Sequence, residues 1–254
     1  CELIVVNDGS TDDTATVAAQ AGARVVTLPV SMGNGAAVKS GARAATGATI
    51  VFMDGDGQHA AADVTRLLAA LGDGCEMVVG ARDSASQASV FRLFANRVYN
   101  TLASWITGQR IADLTSGFRA VRADHFREFL HLLPNGFSYP TTITMAFLRA
   151  GYPVGYVPIT AAARVGRSHI RPLRDGVRFA LIIFRIGTFY SPLKIFFPLG
   201  AVLFLLGMAN YLYTYLTEAR FTNMSAMLLL AALFVFLIGL VSEQITALMY
   251  QRRH

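Results

Sequence analysis

Short apolar runs and polar stretches succeed one another along the first part of the chain. Leu3–Val6 is an apolar run that stops at Asn7-Asp8-Gly9-Ser10. Ser10 and Asp13 have the spacing of a capping box, which predicts a helix over 12–21 closed by Gly22. Arg24–Leu28 reads as a second strand, Gly33-Asn34-Gly35 as a turn into a helix over 36–45, and Thr49–Met53 as a third strand. A helix over 63–71 and a fourth strand at Glu76–Gly80 follow. Strands alternating with helices in this way predict an α/β fold with a doubly wound sheet. Ligands bind such sheets outside the carboxyl ends of the strands. Three of those ends carry polar clusters, at 7–10, at Asp54–His59 and at Gly80-Ala81-Arg82, and these are expected to converge on one crevice.

The pattern changes near residue 190. Leu193–Leu216 and Met224–Met249 each exceed the roughly 20 apolar residues that a transmembrane helix needs. The short polar link between them predicts an antiparallel hairpin. Before it, Arg164, Arg167, Arg171, Arg174, Arg178 and Arg185 recur at helical steps. Pro172 forbids one helix through all of them but suits the first turn of a helix beginning there. Residues 174–190 are therefore predicted to form an interfacial amphipathic helix, with Val177, Leu181, Ile182, Phe184 and Phe189 toward acyl chains. Three parts result: a domain over 1–170, the interfacial helix over 171–191 and the hairpin over 192–254. Basic residues flank the hairpin on both sides, so the positive-inside rule predicts a multi-pass protein of the cell (inner) membrane with domain 1–170 cytoplasmic.

Composition sharpens this picture. The 254 residues are 54% hydrophobic and only 15% charged, against about 25% charged for ordinary soluble domains. The net charge is +6; membrane lipids are the expected partner of most arginines of the stripe, Arg164 excepted, and no nucleic acid is expected. Cys1 and Cys75 offer neither a disulfide framework nor metal-ligand spacing, which agrees with a reducing compartment. Gly200, Ala201 and Gly207 would permit helix association, and with it a homo-oligomer.

Candidate chemistry centres on Met53-Asp54-Gly55-Asp56-Gly57-Gln58-His59. A dinucleotide fingerprint at Gly33-Asn34-Gly35 would need glycine at 38, where Val38 stands, and should follow the first strand. An EF-hand from Asp54 would need glycine at 59 and glutamate at 65, and finds His59 and Thr65. Two carboxylates one residue apart on a glycine-loosened turn suit a hard divalent cation, Mg²⁺ or Mn²⁺, that keeps positions open for phosphate oxygens. The alternative is a solvated Asp-Gly turn.

Asn7–Thr14, Met53–His59, Gly80-Ala81-Arg82 and Asp113–Ala120, in that order before two apolar helices, resemble glycosyltransferase family 2. The resemblance is to its polyprenyl-phosphate branch, which includes dolichol-phosphate mannose synthase and bactoprenol glucosyltransferase. It implies a GT-A type nucleotide-sugar-binding fold. It also implies that Asp8 contacts the nucleotide base of a UDP- or GDP-linked sugar, that Gly9, Asn34, Arg164 and His169 join it in binding that donor, and that Asp54, Asp56 and Gln58 surround the metal and the diphosphate. Arg82, Arg92 and Arg119 fall where the family places cations around the acceptor phosphate and donor. Asn96 stands at a position often Ser, and Asn100 matches a recurring Asn. Asn34 stands where Lys is frequent. Arg164-Val165-Gly166-Arg167-Ser168-His169 resembles a mobile loop over the donor, with His169 replacing the usual Lys. Catalytic roles thus fall to Asp56, Arg82, Arg119 and Arg164. Acceptor-phosphate contacts fall to Arg82, Arg92, Asn96 and Asn100. The family's first strand and its Pro-x-x-Asn-Glu turn are absent from 1–254, so a fragment lacking its natural start is expected.

A phosphate monoester is largely a dianion at neutral pH, so attack on a sugar carbon needs no strong general base. The resemblance implies metal-dependent, inverting transfer of a hexose to a polyprenyl phosphate. Two rivals remain: a processive polysaccharide synthase, which would carry a Gln-x-x-Arg-Trp segment not found around Trp105, and an inactive membrane adaptor that keeps the fold. Asp113 reads either as a base or as a residue that orders its loop. Trp105, Tyr211, Tyr213 and Tyr215 read as core or membrane-interface anchors, His125 and His131 as filler, and Glu243 as a functional intramembrane charge or a helix-helix contact.

Overall fold

A computed structural model describes residues 1–82, 90–136, 139–160, 184, 187, 188 and 190–250, with side chains described for all of these except 90–95 and 250. The chain divides into two compact units, 1–182 and 183–254.

The first unit is α/β. β1 (Ile4–Asn7), α1 (Thr14–Gln20), β2 (Arg24–Thr27), α2 (Asn34–Ala44), β3 (Thr49–Phe52), α3 (Ala62–Gly72) and β4 (Met77–Arg82) follow in the predicted order. α4 (Val90–Thr107), β5 (Arg119–Arg122), α5 (Ala123–Glu128), α6 (Tyr139–Arg149) and β6 (Val154–Ile159) complete it. The sheet differs from one continuous parallel array. β1 and β2 pair in parallel as a two-stranded sheet, and the remaining strands form a second sheet in the order β3-β5-β4-β6. β5 runs antiparallel to both β3 and β4, while β6 is parallel to β4. β5 escapes the sequence pattern because it is only Arg119-Ala120-Val121-Arg122, two apolar residues between two arginines.

This insertion decides where the motifs lie. β3 and β4 point the same way, and β5 enters from the edge at which they leave. The turn after β3, the end of β4 and the segment before β5 therefore share one edge of the sheet. One sheet face is sealed by α3: Leu67, Leu71, Val78, Phe118, Ala120 and Ile159 form a buried cluster. On the other face Phe52 meets Phe126 of α5, ring centroids 4.6 Å apart, and Arg119 reaches α6. Met77, Val78 and Val79 are all fully buried, as a central strand covered on both faces requires.

The capping box does not form. α1 opens at Thr14, whose N–H (3.2 Å) and hydroxyl both donate to Asp12 Oδ1. The Ser10 N–H is taken by Asn7 Oδ1 at 2.9 Å, so a local side-chain turn won the residue from the helix.

The second unit is a helical hairpin of α7 (Pro192–Glu218) and α8 (Asn223–Tyr250). Each helix is long and apolar enough to cross a membrane. Gly207 and Gly239 allow close approach inside the hairpin: a Cβ on them would stand 3.0 Å from Leu228 Cβ and 2.6 Å from Phe196 Cβ. Gly200 likewise faces Ala232 and Phe236. Gly200 and Gly207 thus serve α7–α8 packing within one chain. Glu243 Oε2 accepts from Ser191 Oγ (3.1 Å) and Leu193 N (3.2 Å), a helix-helix contact at the start of α7. Tyr211 packs on Tyr215 and Phe221 at the loop end of the hairpin.

Candidate active site

The acidic turn leaves β3 at its carboxyl end. Gly57 has φ +73°, in the left-handed region, and a Cβ on either Gly55 or Gly57 would meet open space. Asp56 is exposed, and among the described residues its Oδ1 accepts only the Gln58 N–H, at 3.2 Å. Asp54 is half-buried, and among the described residues its carboxylate accepts no hydrogen bond. Two carboxylates with open lone pairs and a carboxamide at Gln58 are a donor set that fits a hard cation. No three His, Cys, Asp or Glu side chains gather into a metal cage among the described residues. A cation here would draw its remaining ligands from water and phosphate oxygens, as Mg²⁺ sites commonly do.

Arg82, at the end of β4, is within electrostatic reach of Asp54. Its guanidinium is held edge-on by Asp113, with Nε to Oδ2 at 2.8 Å and Nη2 to Oδ1 at 3.1 Å. Nη2 also donates to Thr115 Oγ1 at 2.6 Å. Among the described residues Nη1 carries no hydrogen bond, and the side chain is 28% exposed. The fork that grips Asp113 therefore leaves its other edge open to an anion.

Asp113 itself is closed. Its side chain is 5% exposed, and besides Arg82 it accepts the N–H groups of Thr115 (3.0 Å) and Ser116 (3.1 Å). Burial alone would raise its pKa, but the hydrogen bonds and charge of Arg82 outweigh it and hold the carboxyl below its ordinary value. Of its two readings, ordering the loop is the one realised: every oxygen is committed, so it is not placed to take a proton from an acceptor.

Arg119 is fully buried. Its guanidinium donates to Ser116 O, to Pro140 O at 3.1 Å and to Thr144 Oγ1 at 3.2 Å, and lies 5.8 Å from the Tyr139 ring centre. Burial lowers its pKa. It is a cation beneath the site and does not reach the surface at which a ligand would bind. Burial likewise pushes Tyr139 and Tyr156 up to about 12; the Tyr139 hydroxyl donates to Gly117 O at 3.1 Å. Asn100 also turns inward. Its amide donates to Ala112 O at 2.7 Å and accepts Leu114 N at 3.1 Å, which clamps α4 to the loop before β5. Asn96 lies half-buried one turn earlier on the same helix.

Asp8, Gly9 and Asn34 form a second group. Asp8 accepts Met32 N (2.7 Å), Gly33 N (2.8 Å) and Ser31 Oγ (3.1 Å). The Met32 amide is the main reason its pKa is lowered. Those bonds take three of about four acceptor positions of the carboxylate. Gly9, at φ +74°, lets the same loop approach: a Cβ there would stand 2.7 Å from Ser31 N. Asn34 is the exposed first residue of α2. A phosphate has no place on the next amides of that helix: Ala36 N donates to Asn135 O at 2.8 Å, and a Cβ on Gly35 would stand 2.0 Å from Pro134 O. Arg164, His169, the side chain of Arg92 and most of the expected interfacial helix lie outside the described residues.

Sequence reasoning missed several contributors. His59, Gly117 and Phe118 stand in the motifs but carry no assigned role there, although Gly117 and Phe118 lie against the acidic turn; Tyr139, whose ring lies beside Arg119, is not foreseen. The Asp113-Leu114-Thr115-Ser116 spacing is a local Asx-turn signal, but its pairing with Arg82 spans 31 positions and leaves no local trace. Trp105 is 56% exposed on α4, which removes it from the core. His125 is not filler: it bonds Glu76 Oε2 at 2.9 Å and stacks on Tyr152.

The mixed sheet, with its motifs on one edge, defines a GT-A type fold. Residues 1–130 match the family model described as Glycosyl transferase family 2, and residues 191–248 match the GtrB C-terminal hairpin. The chain belongs to glycosyltransferase family 2. It is 32% identical over 217 residues to the glycosyltransferase AglJ of Haloferax volcanii, covering 83% of this chain and 71% of that protein. It is 30% identical over 189 residues to a dolichyl-phosphate hexose transferase of the same organism, covering 72% and 80%. Among solved structures, glucosyl-3-phosphoglycerate synthase of Mycobacterium tuberculosis, in complex with Mn²⁺ and uridine-diphosphate-glucose, matches with a TM-score of 0.56 at 24% identity, over 73% of this chain and 67% of that one. That match establishes the shared fold.

Proposed function

We propose that this protein transfers a hexose from a nucleoside-diphosphate sugar to a polyprenyl phosphate, with inversion, at the cytoplasmic face of a membrane. The observation that carries the reading is the open acidic turn beside the free edge of Arg82, in a chain that also holds two membrane-length helices. Similarity to a dolichyl-phosphate hexose transferase supports the acceptor class. The distribution of arginine and lysine around the hairpin supports the orientation.

A divalent cation, Mg²⁺ or Mn²⁺, held by Asp54, Asp56 and Gln58 would supply neutralising charge to the departing diphosphate. The chain's own residues do the rest. Arg82 Nη1 offers two N–H donors to the acceptor phosphate, while Asp113 keeps the guanidinium plane fixed, so the cation is aimed before the ligand arrives. A phosphate oxygen, already anionic, forms a bond to the anomeric carbon as the bond from that carbon to the donor diphosphate breaks. The electron pair departs with the nucleoside diphosphate. No proton must be removed, which agrees with the saturation of Asp113. Arg119 acts on this step only through the field and the loop that it holds. Asp8 and Gly9 would flank the nucleotide base.

The experiment is a screen of UDP- and GDP-linked sugars against undecaprenyl and dolichyl phosphates with purified protein, read as lipid-linked sugar. A single sugar per lipid phosphate is expected. A growing polymer would favour a processive synthase, and no product with any pair would favour a binding role.

A further inference from the structure

We infer that Gly117 and Phe118 form the seat that sets the position of the acidic turn, and that Gly117 and His59 are positioning residues for the cation site; this rests on the metal reading above. The seat is rigid. Thr115 N and Ser116 N are held by Asp113 Oδ1, Ser116 O by Arg119, Gly117 O by Tyr139 and Phe118 O by Gly80 N. Phe118 is wedged as well: its ring fills the space a side chain on Gly80 would need, Cδ1 lying 2.8 Å from that Cβ position.

Two contacts of the turn reach the seat. The Asp54 carboxylate occupies the space beside Gly117, with Oδ2 2.9 Å from where a Cβ would stand. The His59 ring lies nearly flat on Phe118, centroids 4.8 Å apart at an interplanar angle of 20°. These anchors stand on either side of Asp56 and Gln58, and so fix from both ends the arc that would hold the cation. His59 Nδ1 is buried with no hydrogen-bond partner among the described residues. The contact that ties the ring to the seat is its stacking on Phe118, which a phenyl ring would also supply.

Mn²⁺ alone is titrated into the full chain in detergent, with free ion read by electron paramagnetic resonance and folding by circular dichroism. Gly117→Ala and His59→Ala are expected to weaken Mn²⁺ binding about tenfold, the scale of residues that orient metal ligands, whereas His59→Phe stays within about twofold of the native protein. Native-like affinity in both alanine variants, while Asp56→Ala loses Mn²⁺, would overturn the seat and spare the metal reading. Equal losses in His59→Phe and His59→Ala would overturn the stacking role. A native protein that binds no Mn²⁺, either alone or with a nucleoside diphosphate supplying phosphate oxygens, removes both readings. The His59 pair keeps the test decisive even where the Gly117 variant fails to fold.

Discussion

The corner formed by Arg82 and Asp113 and the turn that carries Asp54 and Asp56 occupy the same edge of one sheet, yet they treat charge in opposite ways. At the corner, Asp113 is nearly inaccessible and its carboxylate meets Arg82, Thr115 and Ser116. At the turn, two carboxylates stand with most of their lone pairs unclaimed by the described residues. Unclaimed acceptors are tolerable there because water or a cation can reach them; buried ones would cost about 1–3 kcal/mol each. The difference assigns roles: a saturated acid builds the site, and an open acid serves a ligand.

Asp56→Ala should give the largest effect, a loss of transfer on the order of 10³-fold with circular dichroism unchanged, because it removes an open ligand and only one exposed hydrogen bond within the turn. Appreciable activity in that variant, or in excess EDTA, would erase the distinction. Asp113→Asn should instead act on folding. It leaves Arg82 half-buried without its carboxylate, at a cost on the order of 3 kcal/mol in denaturant unfolding. The sign of its pH dependence follows from the lowered pKa. The stabilisation is present above the unfolded carboxyl's pKa and is lost as pH falls through the folded one, so Asp113→Asn should flatten the acid limb of the stability profile. Arg82→Lys keeps the charge but loses the fork, and should raise the KM for the lipid phosphate about tenfold with less effect on donor KM. Glu243→Ala should lower hairpin stability in detergent by about 1 kcal/mol, with metal dependence untouched.

Much of the fold was legible because the βα units at 3–80 and the hairpin carry strong periodic signals. β5 was not, since two apolar residues between arginines make no pattern. The site was legible where chemistry is local: an acid pair between glycines reads as an open turn. It was not legible where one residue's role depends on a distant partner. Arg119 and Asn100 look like ligand contacts in sequence, yet α6 and the 110–118 loop claim both terminal nitrogens of Arg119 and the side-chain amide of Asn100. Gly117 is silent in sequence because its function is the space that Asp54 fills.

The central claim is tested most directly by a structure of the protein with Mn²⁺ and a nucleoside-diphosphate sugar, using the anomalous signal of the metal. The account predicts a peak about 2–2.5 Å from carboxylate oxygens of Asp54 or Asp56 and from a diphosphate oxygen. A donor diphosphate bound away from that turn, with no cation between them, would contradict it.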